Sequence, residues 1–545
     1  MLRENRPPFS NTCKNHLIYA FLAVNLIAFL IPIWGGKYML TGDGPTHVYN
    51  SRILADWMLG KDLEFYQQIY ELNLKPDPNW VGHALLSCLM LIFSPALAQK
   101  LLLSGYVGVF TWALFHCIRH IHRENLHLVL LGLPFIFHFS FFKGFWNCAI
   151  SFAIGYWAIM WWMKNRYTLA VSKLLAGSLL ISLLYFSHLL GLAMALGAVG
   201  GMIFIELFIY LSKKNNLSQQ QLLYHCLSAL FIFLPALILV GFYLSRVGIQ
   251  STSSTLAPQK LLDQYLILTG LQNIGTKPFE AIGIKLIAFS FHFLLGWGIY
   301  RKIKSRQLTV YDGFFLAFLV FFIFYLFQPQ SVAGGSVLVR RLQIIPYLLL
   351  LGWFAQFSYS PKVRLGWACL FFIASMGIQV SRIPAQERIN QGLSGYLSAF
   401  SHIEPRSTVL PLSFSHFGLD SNRKPLSQMW LFIHAGDYAG AEKPLILLNN
   451  YEASSGAFPL IYRNGYNPLE LIGTYEGLEF EPPSVAIYPF EEKTGLSVDY
   501  VVTWCRNLVD SSHAYWKHTD IQLTNSYHLV FTSPDKRVEV FKRNP

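Results

Sequence analysis

His16–His47 reads HLIYAFLAVNLIAFLIPIWGGKYMLTGDGPTH. Its first part, His16–Trp34, has no charged residue and is long enough to cross a hydrocarbon core of roughly 30 Å as a helix. It is longer than a signal-peptide core and lacks a convincing small-x-small cleavage site after it, so it reads as a retained anchor. The second part, Thr41-Gly42-Asp43-Gly44-Pro45-Thr46-His47, places an acid, two glycines and a helix-starting proline where the chain leaves the membrane.

Working outward, apolar stretches of about 17–22 residues recur up to Val380 and stop after Ile383. The spans are expected near 16–34, 99–118, 126–142, 145–163, 168–186, 189–211, 222–244, 281–300, 308–328, 342–360 and 364–382. The totals agree: 53% of the 545 residues are hydrophobic and 13% charged, with a mean hydropathy of +0.39. A soluble domain carries about 25% charge, so that class is excluded. The expected fold is a polytopic α-helical membrane protein of about eleven helices, with a C-terminal extracytoplasmic α/β domain. The division expected is 1–384 for the transmembrane domain and 385–545 for the soluble one.

The net charge of +13 does not point to nucleic acid. The cations gather in short loops on one side (Arg119 and Arg123; Lys164, Arg166 and Lys173; Lys213 and Lys214; Arg301, Lys302, Lys304 and Arg306; Lys362 and Arg364) and orient the chain in the bilayer. That bias puts the N-terminus in the cytoplasm, provided that Trp80–Phe93, a short apolar run between prolines, lies in the interface and does not span. A bacterial inner membrane is the expected location. Of the seven cysteines only Cys505 lies in the tail and Cys13 in the leader, so neither a disulfide framework nor a thiolate metal cluster is implied.

Three outward segments are long: Gly35 to about Leu97, Ser245–Glu280, and everything after Ile383. In the first, His47–Leu59 gathers Arg52 and Asp56 on one narrow face, an interfacial amphipathic pattern. In the last, Thr408–Leu412, Leu445–Leu448, Val485–Tyr488, Tyr500–Trp504, His528–Thr532 and Val538–Phe541 read as strands, with helices over Gly392–Ser401 and Gln428–Ala435.

Asp43 is the leading catalytic candidate. The N–H groups of the following helix would favour its ionised form, and a carboxylate there can take a proton from an acceptor or bind a divalent cation. It reads equally as a helix-start residue. His47, one turn on, could bind phosphate, assist proton transfer or complete a metal site, though a lone interfacial histidine is more often packed. Arg340 and Arg341 follow the glycine-rich Ala333–Ser336 and sit near the outer face against the positive-inside rule. Their guanidinium groups suit a lipid phosphate, or simply headgroups. Lys143, in Phe141–Asn147, and His188, after Tyr185-Phe186-Ser187, project from outward turns and could line a polar cavity or be a snorkelling lysine and a turn histidine. Arg246, Asp263, Gln264 and Tyr265 of the later loop give a weak sugar-binding signal. The chain has no phosphate loop, zinc-protease helix or nucleotide-binding glycine fingerprint.

This pattern resembles the GT-C class of membrane glycosyltransferases, which includes protein O-mannosyltransferases and bacterial aminoarabinose transferases. The likeness covers about 16–385: a first helix from the cytoplasm, an outward loop opening on the acid Asp43, interfacial helices at 47–59 and 80–93, and a long loop after the seventh span. It implies transfer of a sugar from a polyprenyl-phosphate-linked donor to an extracytoplasmic acceptor (envelope glycan, lipid or protein), with Asp43 as base and Arg340/Arg341 on the departing phosphate. No second acid beside Asp43 is evident, so a metal is left unknown and a divalent cation open. Other readings are a flippase or a non-catalytic partner of a cell-envelope polysaccharide system. The soluble domain is expected to carry no catalytic group, and its removal to spare donor binding.

Overall fold

The computed structural model describes residues 9–212, 218–248, 258–272, 274–275, 280–327, 337–473 and 477–545. They form two compact units. One comprises Met1–Ile31, Gly105–Phe141 and Asn147–Arg382, the other Pro32–Ser104, Phe142–Trp146 and Ile383–Pro545. The second unit takes up the chain at Ile383, close to the expected division at 384/385, and also includes the first outward segment.

Among the described residues six helices are long and apolar enough to cross a bilayer: His16–Trp34, Pro95–Ile121, Leu189–Leu211, Gln219–Val247, Ala281–Ser305 and Pro361–His402. Their outer faces keep large apolar side chains exposed, such as Phe242 and Ile282. Such a surface suits lipid and would aggregate in water. The chain is a multi-pass membrane protein. The other five expected segments are helical but short, interrupted or, in Trp146–Asn165, less apolar. Val171–Ser187, Asp312–Phe327 and Ile344–Phe354 have 17, 16 and 11 residues, Trp146–Asn165 has 20, and 126–142 breaks into His127–Gly132, a 3-10 turn at Leu133–Phe135 and Phe139–Lys143. Pro134 in that turn cannot donate an N–H to a continuous helix. Buried charges in this unit are paired near helix ends. Lys302 Nζ reaches Asp312 Oδ2 at 2.6 Å, and Arg382 reaches Glu280 at 3.0 Å. Of the later loop, Pro258–Thr269 is a helix, with Asp263 accepting from Gln259 and Gln264 O accepting from the Tyr325 hydroxyl. The glycine-rich Ala333–Ser336 lies outside the described residues.

Among the described residues the second unit has seven strands: β1 (Tyr70–Leu72), β2 (Ser407–Ser413), β3 (Leu445–Leu447), β4 (Leu460–Tyr462), β5 (Tyr500–Trp504), β6 (Tyr527–Thr532) and β7 (Val538–Arg543). Five form one sheet in the order β3-β2-β5-β7-β6, with β2 parallel to β3 and β5, and β7 antiparallel to β5 and β6. β2 and β5 are buried throughout, as parallel strands covered on both faces must be. β1 pairs antiparallel with β4 and so stitches the first outward segment to the C-terminal one.

Two expectations in the tail are corrected. Val485–Tyr488 is not a strand. A helix, Tyr488–Thr494, starts there with proline in its first turn, and Pro489 has no N–H to give a ladder. Gln428–Ala435 is not a helix, because the Phe432 N–H bonds to His416 O, and those of Leu426 and Ser427 to Gly418 O and Phe417 O. The helix comes later, at Asp437–Glu442.

The expected interfacial helix at 47–59 is Gly44–Met58, and it is buried along most of its length. The Arg52–Asp56 pair forms at 2.8 Å, but Thr46, Asn50 and Ser51 are also buried. They need partners there, and the tail supplies them to Thr46 and Asn50: Thr46 Oγ1 donates to Asp437 at 2.6 Å and Asn50 Nδ2 to Glu452 at 2.7 Å. The Trp80–Phe93 run folds as Val81–Met90, ten residues and so about 15 Å long, too short to span. Ser87 on it donates to Ser51 O at 3.1 Å.

Candidate functional site

Asp43 lies at the N-cap of the Gly44–Met58 helix, with Pro45 in the first turn. Its carboxylate makes no cap hydrogen bond, contrary to the expected embrace by the helix terminus. It faces Lys143 Nζ at 3.5 Å instead and is only 5% exposed.

The glycines explain how the acid and the lysine meet. Gly42 N donates to Phe142 O at 2.9 Å and Asp43 N to Lys143 O at 2.8 Å, so the 42–43 and 142–143 backbones lie against each other. A Cβ on Gly42 would stand 2.5 Å from Lys143 O, and one on Gly144, whose φ is +96°, would run into Asp43 N. Only glycine tolerates both that φ and that approach. The motifs Thr41–His47 and Phe141–Asn147 thus meet as one turn-on-turn contact.

One helical turn on, the His47 ring binds Gly144 O through Nε2 at 2.7 Å. Nε2 therefore carries a proton, and Nδ1 is directed at Glu452 and at His83 Nε2, 3.3 Å away. His83 Nε2 lies 2.9 Å from Glu452 Oε2. The three ligand atoms lie within 4.8 Å of one another and all three residues are buried. Burial alone would lower the His47 pKa. Glu452, Asp43 and Gly144 O outweigh it and raise it. Burial would lift Glu452, but the two histidines hold it well below the carboxylate range.

Two nitrogens and one carboxylate oxygen could hold a divalent metal of the zinc type. The Nε2–H bond to a carbonyl is the support that fixes a ligating imidazole, and Asn50 holds Glu452. The sequence pointed to His47 alone. His83 and Glu452 stand 369 positions apart, and no local spacing signals them.

The other candidates belong to the first unit. Arg341 Nη1 lies 3.4 Å from His188 Nε2, and Arg340 sits over the Phe139 ring at 4.6 Å. His188 Nδ1 accepts the Leu190 N–H at 3.1 Å, so a neutral ring carries its proton on Nε2. The two groups then converge as N–H donors, and an anionic oxygen could accept from both. Arg246 is exposed in the last turn of Gln219–Val247, and the residues after Gly248 lie outside the described set.

No protein-family model matches the chain, and no curated protein does. Solved structures do. ArnT from Cupriavidus metallidurans in the apo state superposes with a TM-score of 0.53 at 10% identity, over 97% of this chain and 98% of that one. The fold is that of ArnT. ArnT bound to undecaprenyl phosphate gives 0.51 at 10% identity, over 96% and 98%. ArnT is an aminoarabinose transferase of the GT-C class, so the architectural resemblance drawn from the sequence holds at the level of fold.

Proposed function

We propose that this chain is a membrane glycosyltransferase that moves a sugar from a polyprenyl-phosphate-linked donor to an extracytoplasmic acceptor. The observation that carries the reading is the Asp43–Lys143 pair, locked by backbone contact at the helix start of an ArnT-like fold. The ArnT structure with undecaprenyl phosphate supports the donor class.

Asp43 acts as the base. It accepts the proton of an acceptor hydroxyl as that oxygen attacks the anomeric carbon, the bond from that carbon to the phosphate oxygen breaks, and the lipid phosphate leaves with inversion. Lys143 stands 3.5 Å from Asp43 and balances its charge. Arg340 and Arg341, with His188, hold the phosphate, whose developing charge is the main electrostatic demand of the step. His47 orients the loop through Gly144 O, and Arg246 binds substrate at the end of its helix. The N-terminus is cytoplasmic and 385–545 extracytoplasmic, in a bacterial inner membrane.

The test is transfer from a radiolabelled polyprenyl-phosphate sugar in liposomes, with donor binding measured on the same samples. Asp43→Asn is expected to keep donor affinity and cut turnover by about 10²–10⁴, the worth of a positioned base. Wild-type turnover in that variant would remove Asp43 from the mechanism.

A further inference from the structure

Beside the Asp43–Lys143 pair lies an aromatic group that the proposed chemistry does not use. Trp430 is 45% exposed, unlike Trp146 and Trp504 of the same unit, which are buried. Lys143 Nζ stands 5.8 Å from the centre of its ring, so the indole is one side chain away from Asp43. The His416 ring meets it at 5.2 Å and 60°. His416 is itself fixed: its Nε2 lies 2.9 Å from Glu479 O, and its backbone N–H donates to Glu481 Oε1 at 3.0 Å.

Further polar groups lie close to Lys143 and His416. Glu479 is held up by burial and feels Lys143 and Asp43. His434 is buried, stacks on Tyr451 at 4.7 Å, and its Nδ1 has no hydrogen-bond partner among the described residues. Burial and the Lys143 charge push its pKa down to about 3, so the ring is neutral and can accept or donate one hydrogen bond. A buried polar atom left without a partner is costly unless a ligand completes it.

A flat apolar face rimmed by carboxylates, neutral imidazoles and an ammonium matches one ligand class well. A saccharide ring offers a C–H face to an indole and a rim of hydroxyls to such groups. A polyprenyl tail would leave the carboxylates desolvated, and a phosphate would meet Asp43, Glu479 and Glu481 against Lys143 alone.

We propose that Trp430, with His416, His434 and Glu479, forms a saccharide-ring subsite contributed by the C-terminal part of the chain next to Asp43. This deepens the transferase reading and rests on it. The ring is that of the transferred sugar or of a sugar acceptor.

The experiment uses the full chain in detergent and a panel of methyl glycosides (hexoses, pentoses, hexosamines, uronic acids), with binding followed by saturation-transfer NMR. At least one glycoside is expected to bind. Trp430→Ala should weaken it roughly ten-fold, as loss of one aromatic contact would, and Trp430→Phe should restore most of it. Undecaprenyl phosphate affinity should be unchanged in both variants, which also shows that they fold. Displacement of the glycoside by a polyprenyl-phosphate sugar, but not by undecaprenyl phosphate, assigns the subsite to the donor. Its retention beside bound donor assigns it to the acceptor. If no glycoside binds, or Trp430→Ala binds as wild type does, the subsite does not exist. If the wild-type chain fails to bind undecaprenyl phosphate, the donor reading fails whatever the glycosides do.

Discussion

Arg341 and Glu452 show what a single side chain is asked to do here. Arg341 and His188 present converging N–H groups, so Arg341→Ala should weaken lipid-phosphate binding by roughly 1.5–3 kcal/mol, the worth of a charge-assisted contact. Arg341→Lys should restore part of it, because an ammonium lacks the planar two-donor fork. Binding of undecaprenyl phosphate in nanodiscs measures both, and full affinity in the alanine variant would leave the arginine a packing residue. At the His47–His83–Glu452 cluster the purified chain should take up about one zinc ion per molecule from micromolar zinc. Glu452→Gln should abolish the uptake. Elemental analysis after dialysis decides it, and equal zinc in wild type and variant would show that the three residues bond only to one another.

Among elements, the Gly44–Met58 and Asp437–Glu442 helices depend on each other. Thr46 donates to Asp437, and the Gly440 position admits no Cβ beside the Tyr49 ring. Asp437 is fully buried, and burial pushes its pKa up to about 7, with Thr46 and Asn449 opposing and Glu452 adding to the rise. A folded-state value above the ordinary one of 3.8 means that the folded chain holds this proton more tightly than the unfolded one. Its contribution is therefore fully present below about pH 4 and is lost as pH rises through about 7. Asp437→Asn should melt at a higher temperature than wild type at pH 8, and the difference should shrink toward pH 4. Parallel melting curves of the two proteins across that range would refute the assignment. The helix itself was legible from Gly44-Pro45, but its burial was not. Arg52 and Asp56 gave the appearance of one polar face, while the partners that let Thr46 and Asn50 be buried come from about 390 to 400 positions away.

For the whole molecule, the second unit draws on both ends of the chain. Tyr38 bonds to Glu442, Tyr49 to Leu445 O, Asn73 to Phe458 O and Gln99 to Tyr438, and β1 pairs with β4. Removal of 390–545 would leave these groups of the first outward segment without partners. The truncated chain should therefore lose the protease resistance of 35–97 along with the proposed transfer activity. Intact protection of 35–97 in the truncated protein would show that this segment holds its structure without the tail.

The sequence by itself determined the membrane class and most strand positions in the tail, and it singled out Asp43 as a candidate. Each rests on a local signal: unbroken apolar length, alternation between turn residues, and an acid between two glycines at a membrane exit. Tertiary structure alone decided that Lys143 is the partner of Asp43, that His47 meets His83 and Glu452, and that the first outward segment belongs with the C-terminal sheet. Those pairings are made by side chains and backbone brought together from distant positions. Hydropathy and periodicity record which face of an element is buried, but not which other element buries it.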